Sequence, residues 1–241
     1  MISKMKKIAS VLLLSAFVSI NLAPTADAAV INHDEVVAIL EDPNLDTVTE
    51  KAAKRFQPYL RVSNGCVPFP AVDWWGNTSG GLQATGTHNS DCSSSTGQLY
   101  VRSGWYNGVW AIMYSWYFPK DYPGHRHDWE AVVVWIDNPA NTNPNILQIS
   151  YSQHGEFVHH PADSFYMSGT HPKVDYGAIY PFGHVLSRTN AQGGTQPLVH
   201  WDQISQMARD ALNNTDFGAA TVPFRDTNNT YWNTLGKAWY K

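Results

Sequence analysis

Hydrophobic spacing divides the chain into a long middle with strand character and short helical stretches on either side. Between Leu60 and Leu198, short runs rich in Val, Ile, Tyr and Trp alternate with stretches dense in Gly, Asn, Ser and Pro, which is the pattern of strands between turns. The clearest runs are 99–102, 109–118, 127–136, 146–152 and 174–179. Residues 130–135 are almost continuously apolar after the first, which predicts a central strand covered on both faces. Residues 147–152 alternate with period two, which predicts a strand with one wet face. Before this region, Asn32 and Glu35 have capping-box spacing, predicting a helix over 32–41 that Asp42-Pro43 ends. Thr47 and Glu50 repeat the signal for a second helix, reaching about Gln57 and stopped by Pro58. Beyond the middle, Ile204, Met207, Ala208 and Leu212 make one apolar stripe, so 202–212 reads as a helix capped by Asp202. Many short strands, few helices and no strand–helix alternation predict an antiparallel β-sandwich or barrel with a few peripheral helices.

The N-terminus departs from this pattern. Lys4, Lys6 and Lys7 precede an apolar run over 8–20 interrupted by Ser10, Ser15 and Ser19, and Ala26-Asp27-Ala28 supplies a small-x-small cleavage site. Residues 1–28 therefore read as a secretory signal peptide; the alternative, a membrane anchor, has a short core for a bilayer span. The expected mature protein is one secreted domain, 29–241. With 241 residues, 43% hydrophobic, and 10 Trp, 12 Tyr and 9 Phe, the chain has the material for one sizeable core, and disorder or a coiled coil is excluded. The formal net charge is -4, and losing the leader makes the chain more acidic. No basic patch stands out, so no nucleic-acid partner is expected, and simple attraction to an anionic bilayer is a poor account of any membrane activity. The two cysteines, Cys66 and Cys92, should form one disulfide in an oxidising compartment.

Chemistry concentrates in Lys120-Asp121-Tyr122-Pro123-Gly124-His125-Arg126-His127-Asp128-Trp129-Glu130. Along a strand, residues two apart share a face, so Asp128 and Glu130 lie on one side and His127 and Trp129 on the other. Neighbouring carboxylates repel, and a bound cation resolves the repulsion. Asp121 precedes a Pro-Gly turn that can return it over the same face, and His125 sits at the turn exit. Asp121, His125, Asp128 and Glu130 therefore suit one divalent cation, Mg²⁺ or Ca²⁺, held partly through waters. Three other readings compete: a solvated strand neutralised by Arg126, a transition-metal site using His125 and His127, and an acid/base pair of Asp128 and Glu130 for glycan hydrolysis. No nucleophile elbow, zinc-protease motif or phosphate loop occurs. His154, His159 and His160 follow a predicted strand and can lie beside the acidic segment. Trp74-Trp75, Trp105-Tyr106 and Trp110 can offer aromatic faces to sugars or a membrane, although core packing is the ordinary use of such residues.

The heptapeptide Gly124-His125-Arg126-His127-Asp128-Trp129-Glu130 resembles the signature of the necrosis- and ethylene-inducing peptide-like (Nep1-like) proteins. The upstream Ala111-Ile112-Met113-Tyr114-Ser115-Trp116-Tyr117-Phe118-Pro119-Lys120-Asp121 is similar to the family segment that precedes it. So are the C-terminal Ala211-Leu212-Asn213-Asn214-Thr215-Asp216-Phe217-Gly218 and Val222-Pro223-Phe224, and the N-terminal Ile31-Asn32-His33-Asp34. One cysteine pair matches the two-cysteine subtype. The resemblance implies a sandwich similar to actinoporins and some fungal lectins. It implies a secreted cytolysin, not an enzyme, that damages plant plasma membranes by binding the sugar head group of glycosylinositol phosphorylceramide sphingolipids. The family's cation site would fall on Asp121, His125, Asp128 and Glu130, the four residues reached from strand parity. The segment 111–130 resembles the peptide pattern that plant immune receptors sense. Many members carry several more residues between the Asp and the heptapeptide, where this chain has only Tyr122-Pro123. Two rival functions are a metal-assisted glycan hydrolase and a non-toxic, lectin-like glycolipid binder.

Overall fold

The computed structural model describes residues 28–179 and 183–241, so the expected signal peptide lies outside the described residues apart from Ala28. In chain order the strands are β1 (Val30–Ile31), β2 (Tyr59–Val62), β3 (Thr78–Ser79), β4 (Leu99–Tyr106), β5 (Val109–Asp121), β6 (His125–Ile136), β7 (Ile146–Gln153), β8 (Glu156–His160), β9 (Met167–Ser168), β10 (His171–Ala178), β11 (His184–Arg188) and β12 (Leu198–His200). The helices are α1 (Val48–Arg55), α2 (Gln206–Asn214) and α3 (Thr230–Ala238).

A six-stranded sheet, β12-β4-β5-β6-β7-β8, packs against a smaller one, β11-β10-β2, with β9 added beside β10. The sandwich is therefore present, but it is mixed. β12 pairs with β4, β2 with β10, and β1 with β3 in parallel, because these strands arrive by long connections and not through hairpins.

The hairpin of β5 and β6 is the spine, paired from Trp110↔Ile136 to Asp121↔His125. Every residue of β5 is buried, because both faces are covered. On the even-numbered face, Tyr114 donates to the Ala53 carbonyl at 2.7 Å, and Phe118 stacks on Tyr176 with centroids 3.7 Å apart. On the odd-numbered face, Tyr117 and Trp129 meet Phe217 from the C-terminal segment at 5.7 and 5.8 Å. Residues 131–136 are fully buried, as the apolar run predicts. β7 corrects the expectation of a wet face: Ile149, Ser150, Tyr151 and Ser152 are all buried, because α3 covers the second side. Ser150 Oγ donates to the Ala238 carbonyl at 2.8 Å and accepts from Trp135 Nε1 at 2.9 Å, so polar positions of the alternation are used inside.

α1 follows its signal closely, with the Thr47 side chain accepting from the Glu50 amide and Glu50 returning the bond to Thr47. The helix predicted over 32–41 does not form. Glu35 makes the cap-like bond to the Asn32 amide at 3.3 Å, and the chain then runs on without helical turns. Val36 and Ile39 are buried while Val37 and Leu40 are exposed, and the Ile39 amide donates to Gln98 Oε1 at 2.7 Å. Anchoring to the sandwich outweighs the weak gain of a short helix rich in β-branched residues. α2 starts later than predicted. Ser205, not Asp202, is its cap, accepting from the Ala208 amide, because the Trp201 amide is still held by the Val101 carbonyl at the edge of β4. α3 had no clear sequence signal: the side chain of its cap, Asn229, makes no capping bond to the helix backbone.

Cys66 and Cys92 are joined, as expected, across 26 residues. The same loop is tied down by Lys120, whose buried Nζ donates to the carbonyls of Thr85 and Thr87 and to Ser90 Oγ at 3.0, 3.1 and 2.9 Å. Replacing both cysteines by Ser is expected to lower the unfolding free energy by roughly 3 to 4 kcal/mol on the chain-entropy argument. Urea denaturation of the mature protein measures it, and an unchanged midpoint contradicts it.

Candidate functional site

The site is set by where β6 stops being paired. β5 flanks β6 along its length, but β7 joins only from Val132↔Tyr151 onward. Residues 125–131 therefore have one side open to a cleft of about 520 Å³, and the cleft is lined by Asp121, His125, Asp128 and Glu130. All four residues picked out by sequence spacing thus come together in one recess.

Strand parity holds. Asp128 and Glu130 share a face: Asp128 Oδ2 accepts from the Tyr176 hydroxyl of β10, in the second sheet, at 2.8 Å, and Glu130 Oε2 accepts from Ser152 Oγ of the neighbouring β7. His127 and Trp129 face the other way. His127 Nδ1 lies 2.7 Å from the Tyr117 hydroxyl, and its ring meets Phe217 edge-on. His127 has φ +62°, and Gly81 makes room for it, since a Cβ there would stand 2.6 Å from Nδ1. Asp121 pairs across the short turn with His125, and His125 Nε2 lies 3.7 Å from Asp121 Oδ2. The turn of three residues is therefore long enough to return Asp121 to the cleft.

Three further residues complete the arrangement, and none was singled out from the sequence. His184 opens β11 and is buried, with Nδ1 2.5 Å and its backbone amide 3.1 Å from Asp121 Oδ1. Its Nε2 reaches the Asn64 side chain at 3.0 Å. Tyr176 stacks between Phe118 and His184, with centroids 3.7 and 4.8 Å away. Ser152, at the end of β7, holds Glu130 and also accepts from the Ala131 amide at 2.8 Å. These partners lie 63, 48 and 22 residues from the carboxylates they bind. No local spacing announces them; a single His after a Gly at the start of an apolar run is the only trace.

Burial sets the electrostatics. The Asp128 carboxyl is pushed up to about 7, first by loss of water and then by the Asp121 charge, against the opposing pull of the Tyr176 hydroxyl, His125 and His184. Glu130 is raised well above the usual carboxylate range by burial and then by Asp128. His127 is lowered to about 4, chiefly by burial and then by Arg126. No lysine or arginine forms an ion pair with Asp121, Asp128 or Glu130 among the described residues.

That donor set fits a hard divalent cation: oxygen-rich, mostly buried, like-charged and without a lysine or arginine partner among the described residues. Among the described residues, however, no three His, Cys, Asp or Glu side chains stand as a ready coordination shell. The donors are engaged with Tyr176, Ser152 and His184. The transition-metal alternative loses its geometry, because His127 is turned to Tyr117 on the face opposite Asp128. The other noted groups separate. His154 lines the cleft, whereas His159 meets Ser150 at 3.0 Å and His160 packs against Tyr151. Trp110 is buried as core, but Trp74, Trp75 and Trp105 are about half exposed, so the packing reading does not extend to them.

A group whose carboxyl is raised from 3.8 to about 7 on folding favours the folded state below the lower value and loses that contribution as pH rises through the higher one. In the presence of chelator, Asp128→Asn should therefore be more stable than the wild type at pH 8, by one to a few kcal/mol on the order of a few pK units. The difference should close toward pH 4. Thermal unfolding across that range measures it; an Asn variant less stable than wild type at pH 8 contradicts it.

Comparison with known proteins places this geometry. The family model for necrosis inducing protein (NPP1) matches residues 50–238. The chain is 50% identical over 224 residues to NLP effector protein 10 of Phytophthora capsici, covering 90% of this chain and 94% of that one. Among solved structures, NLPPya in complex with mannosamine is 47% identical with a TM-score of 0.83, covering 88% of this chain and all of the other. A glucosamine complex of NLPPya has a TM-score of 0.82. A protein described as the non-toxic HaNLP3 is also similar, at 43% identity and a TM-score of 0.82 over 86% of this chain and 98% of that one.

Proposed function

The chain belongs to the necrosis-inducing protein (NPP1) family, and from that premise we propose that it is a secreted, cation-dependent cytolysin that recognises the sugar head group of a plant plasma-membrane sphingolipid, glycosylinositol phosphorylceramide. The observation that carries the reading is the open cleft in which Asp121, His125, Asp128 and Glu130 converge with no lysine or arginine paired to the carboxylates among the described residues. Relatives of the same fold are described as bound to mannosamine and glucosamine, amino sugars whose hydroxyls and ammonium group suit such a cleft.

A divalent cation, Mg²⁺ or Ca²⁺, bound there would neutralise the carboxylates and offer coordination to sugar hydroxyls. Asp121, His125, Asp128 and Glu130 would hold it, and His184 and Tyr176 orient Asp121 and Asp128 from the second sheet. No covalent step is required, so the protein acts by binding and not as an enzyme. No helix among the described residues is long and apolar enough to cross a membrane. Segment 111–130 is almost wholly buried in β5 and β6, so immune receptors that read it as a peptide would need it released from the fold.

The similarity to a protein described as non-toxic favours a second reading, a lectin-like binder that leaves membranes intact. Dye leakage from vesicles with and without the sphingolipid separates the two. Leakage is expected only with both the lipid and Ca²⁺ or Mg²⁺, and chelator should abolish it. Asp128→Ala should slow it roughly 10- to 100-fold while the protein stays folded. Wild-type leakage by the variant overturns the mechanism, binding without leakage selects the lectin-like reading, and release of reducing sugar points to a glycan hydrolase.

A further inference from the structure

The acidic residues occupy only one wall of the cleft. The opposite wall is α3 and the segment before it, with Thr221, Asn228 and Thr234 facing the space and Lys237 at the far end. The side chains of Thr221, Asn228 and Thr234 make no hydrogen bond within the described residues. Lys237 is already engaged: Nζ donates to the Gly155 carbonyl at 2.7 Å and lies 3.5 Å from Glu156. This wall is therefore polar without a free charge. Phe157 adds aromatic surface.

The strand side contributes backbone groups. The Ala131 amide points away from β5 toward Ser152, so by antiparallel alternation the Trp129 amide and carbonyl also point away from β5, on the stretch of β6 that β7 does not pair. Uncharged hydroxyl and amide groups, aromatic surface and a free strand edge are what a sugar ring, with its hydroxyl rim and C–H faces, requires. At about 520 Å³ the cleft lies in the range of drug-sized ligands and not of a lone ion.

We propose that the cleft takes two linked sugar rings, the first over the acidic wall and a second, uncharged one between the open edge of β6 and α3. Thr221, Asn228 and Thr234 hydrogen-bond the second ring, and Phe157 lies against its C–H face. This rests on the reading that the acidic wall binds a sugar, and it adds that recognition extends beyond one ring.

Calorimetric titration of the mature protein in Ca²⁺ tests it, with glucosamine and with a panel of disaccharides joining glucosamine to glucose through different hydroxyls. At least one disaccharide should bind roughly 5- to 10-fold more tightly than glucosamine, the scale of one or two added hydrogen bonds. Thr221→Val with Thr234→Val should erase that gain and leave glucosamine affinity unchanged. Asn228→Gly is the independent variant, since Asn228 has φ +56°, which Gly adopts without strain. The backbone N–H resonance of Trp129 should move further with the disaccharide than with glucosamine. No disaccharide binding more tightly than glucosamine, or a gain that survives in both variants, overturns the second ring while leaving the first. Failure of the wild type to bind glucosamine overturns the acidic wall as a sugar site, and the second ring with it.

Discussion

Three carboxylates crowd one end of this sandwich, two of them on the same face of one strand, and no lysine or arginine forms an ion pair with them among the described residues. Removing such groups from water is costly, and mutual repulsion adds to the cost. Much of the surrounding structure answers that constraint. Tyr176 and Ser152 give a hydroxyl each to Asp128 and Glu130, and His184 gives a ring nitrogen and a backbone amide to Asp121. The two hydroxyl bonds satisfy acceptors of Asp128 and Glu130 but bring no neutralising charge. Asp128 and Glu130 hold their protons more tightly as a result. The site is thus less favourable to the empty fold than an apolar one would be, which is the usual price of a binding site.

Two sheets are needed to build it. The β5–β6 hairpin delivers the acids, and the smaller sheet delivers the partners of Asp121 and Asp128, His184 and Tyr176, which stack in line with Phe118 of β5. The stack links the core to the cleft, since Phe118 is a core residue of β5 and His184 a residue of the site. Tyr176 and His184 sit diagonally on the β10–β11 pair, where Ala178 opposes His184 and Tyr176 opposes Leu186. The order of that pair therefore bears directly on the carboxylates. Gly65 lets the loop before it close over both rings, since a Cβ there would stand 2.6 Å from His184 and 2.8 Å from Tyr176. The disulfide and Lys120 fasten the long loop between β3 and β4 on the opposite flank, leaving the cleft side to β7, β8 and α3.

The helices show where local signals succeed. Thr47 and Glu50 form their capping box because both partners lie within one turn of each other. Asn32 and Glu35 have the same spacing and make half of the same bonds, yet no helix follows, because Ile39 is drawn to Gln98 in the sandwich. Asp202 has the right chemistry for a cap but lies where the chain is still hydrogen-bonded to β4, so Ser205 takes the role. Identical local patterns thus end differently according to what the rest of the fold asks of the backbone.

The sequence by itself determined the strands of the spine, the cysteine pair, and the placing of Asp128 and Glu130 on one face with His127 and Trp129 on the other. Each follows from a covalent or nearest-neighbour regularity: alternation along a strand, apolar runs, and the number of thiols. The resemblance of residues 111–130 to a known family pointed to the same four residues, and the family match bears out that kinship. Tertiary structure alone decided that β7 has no wet face, that three strand pairs are parallel, and that His184, Tyr176 and Ser152 complete the site. It also decided that the N-terminal half of β6 is left open on one side to make a cleft with α3. These depend on which elements meet across long loops, and such meetings are set by the summed burial of many side chains and not by any local spacing.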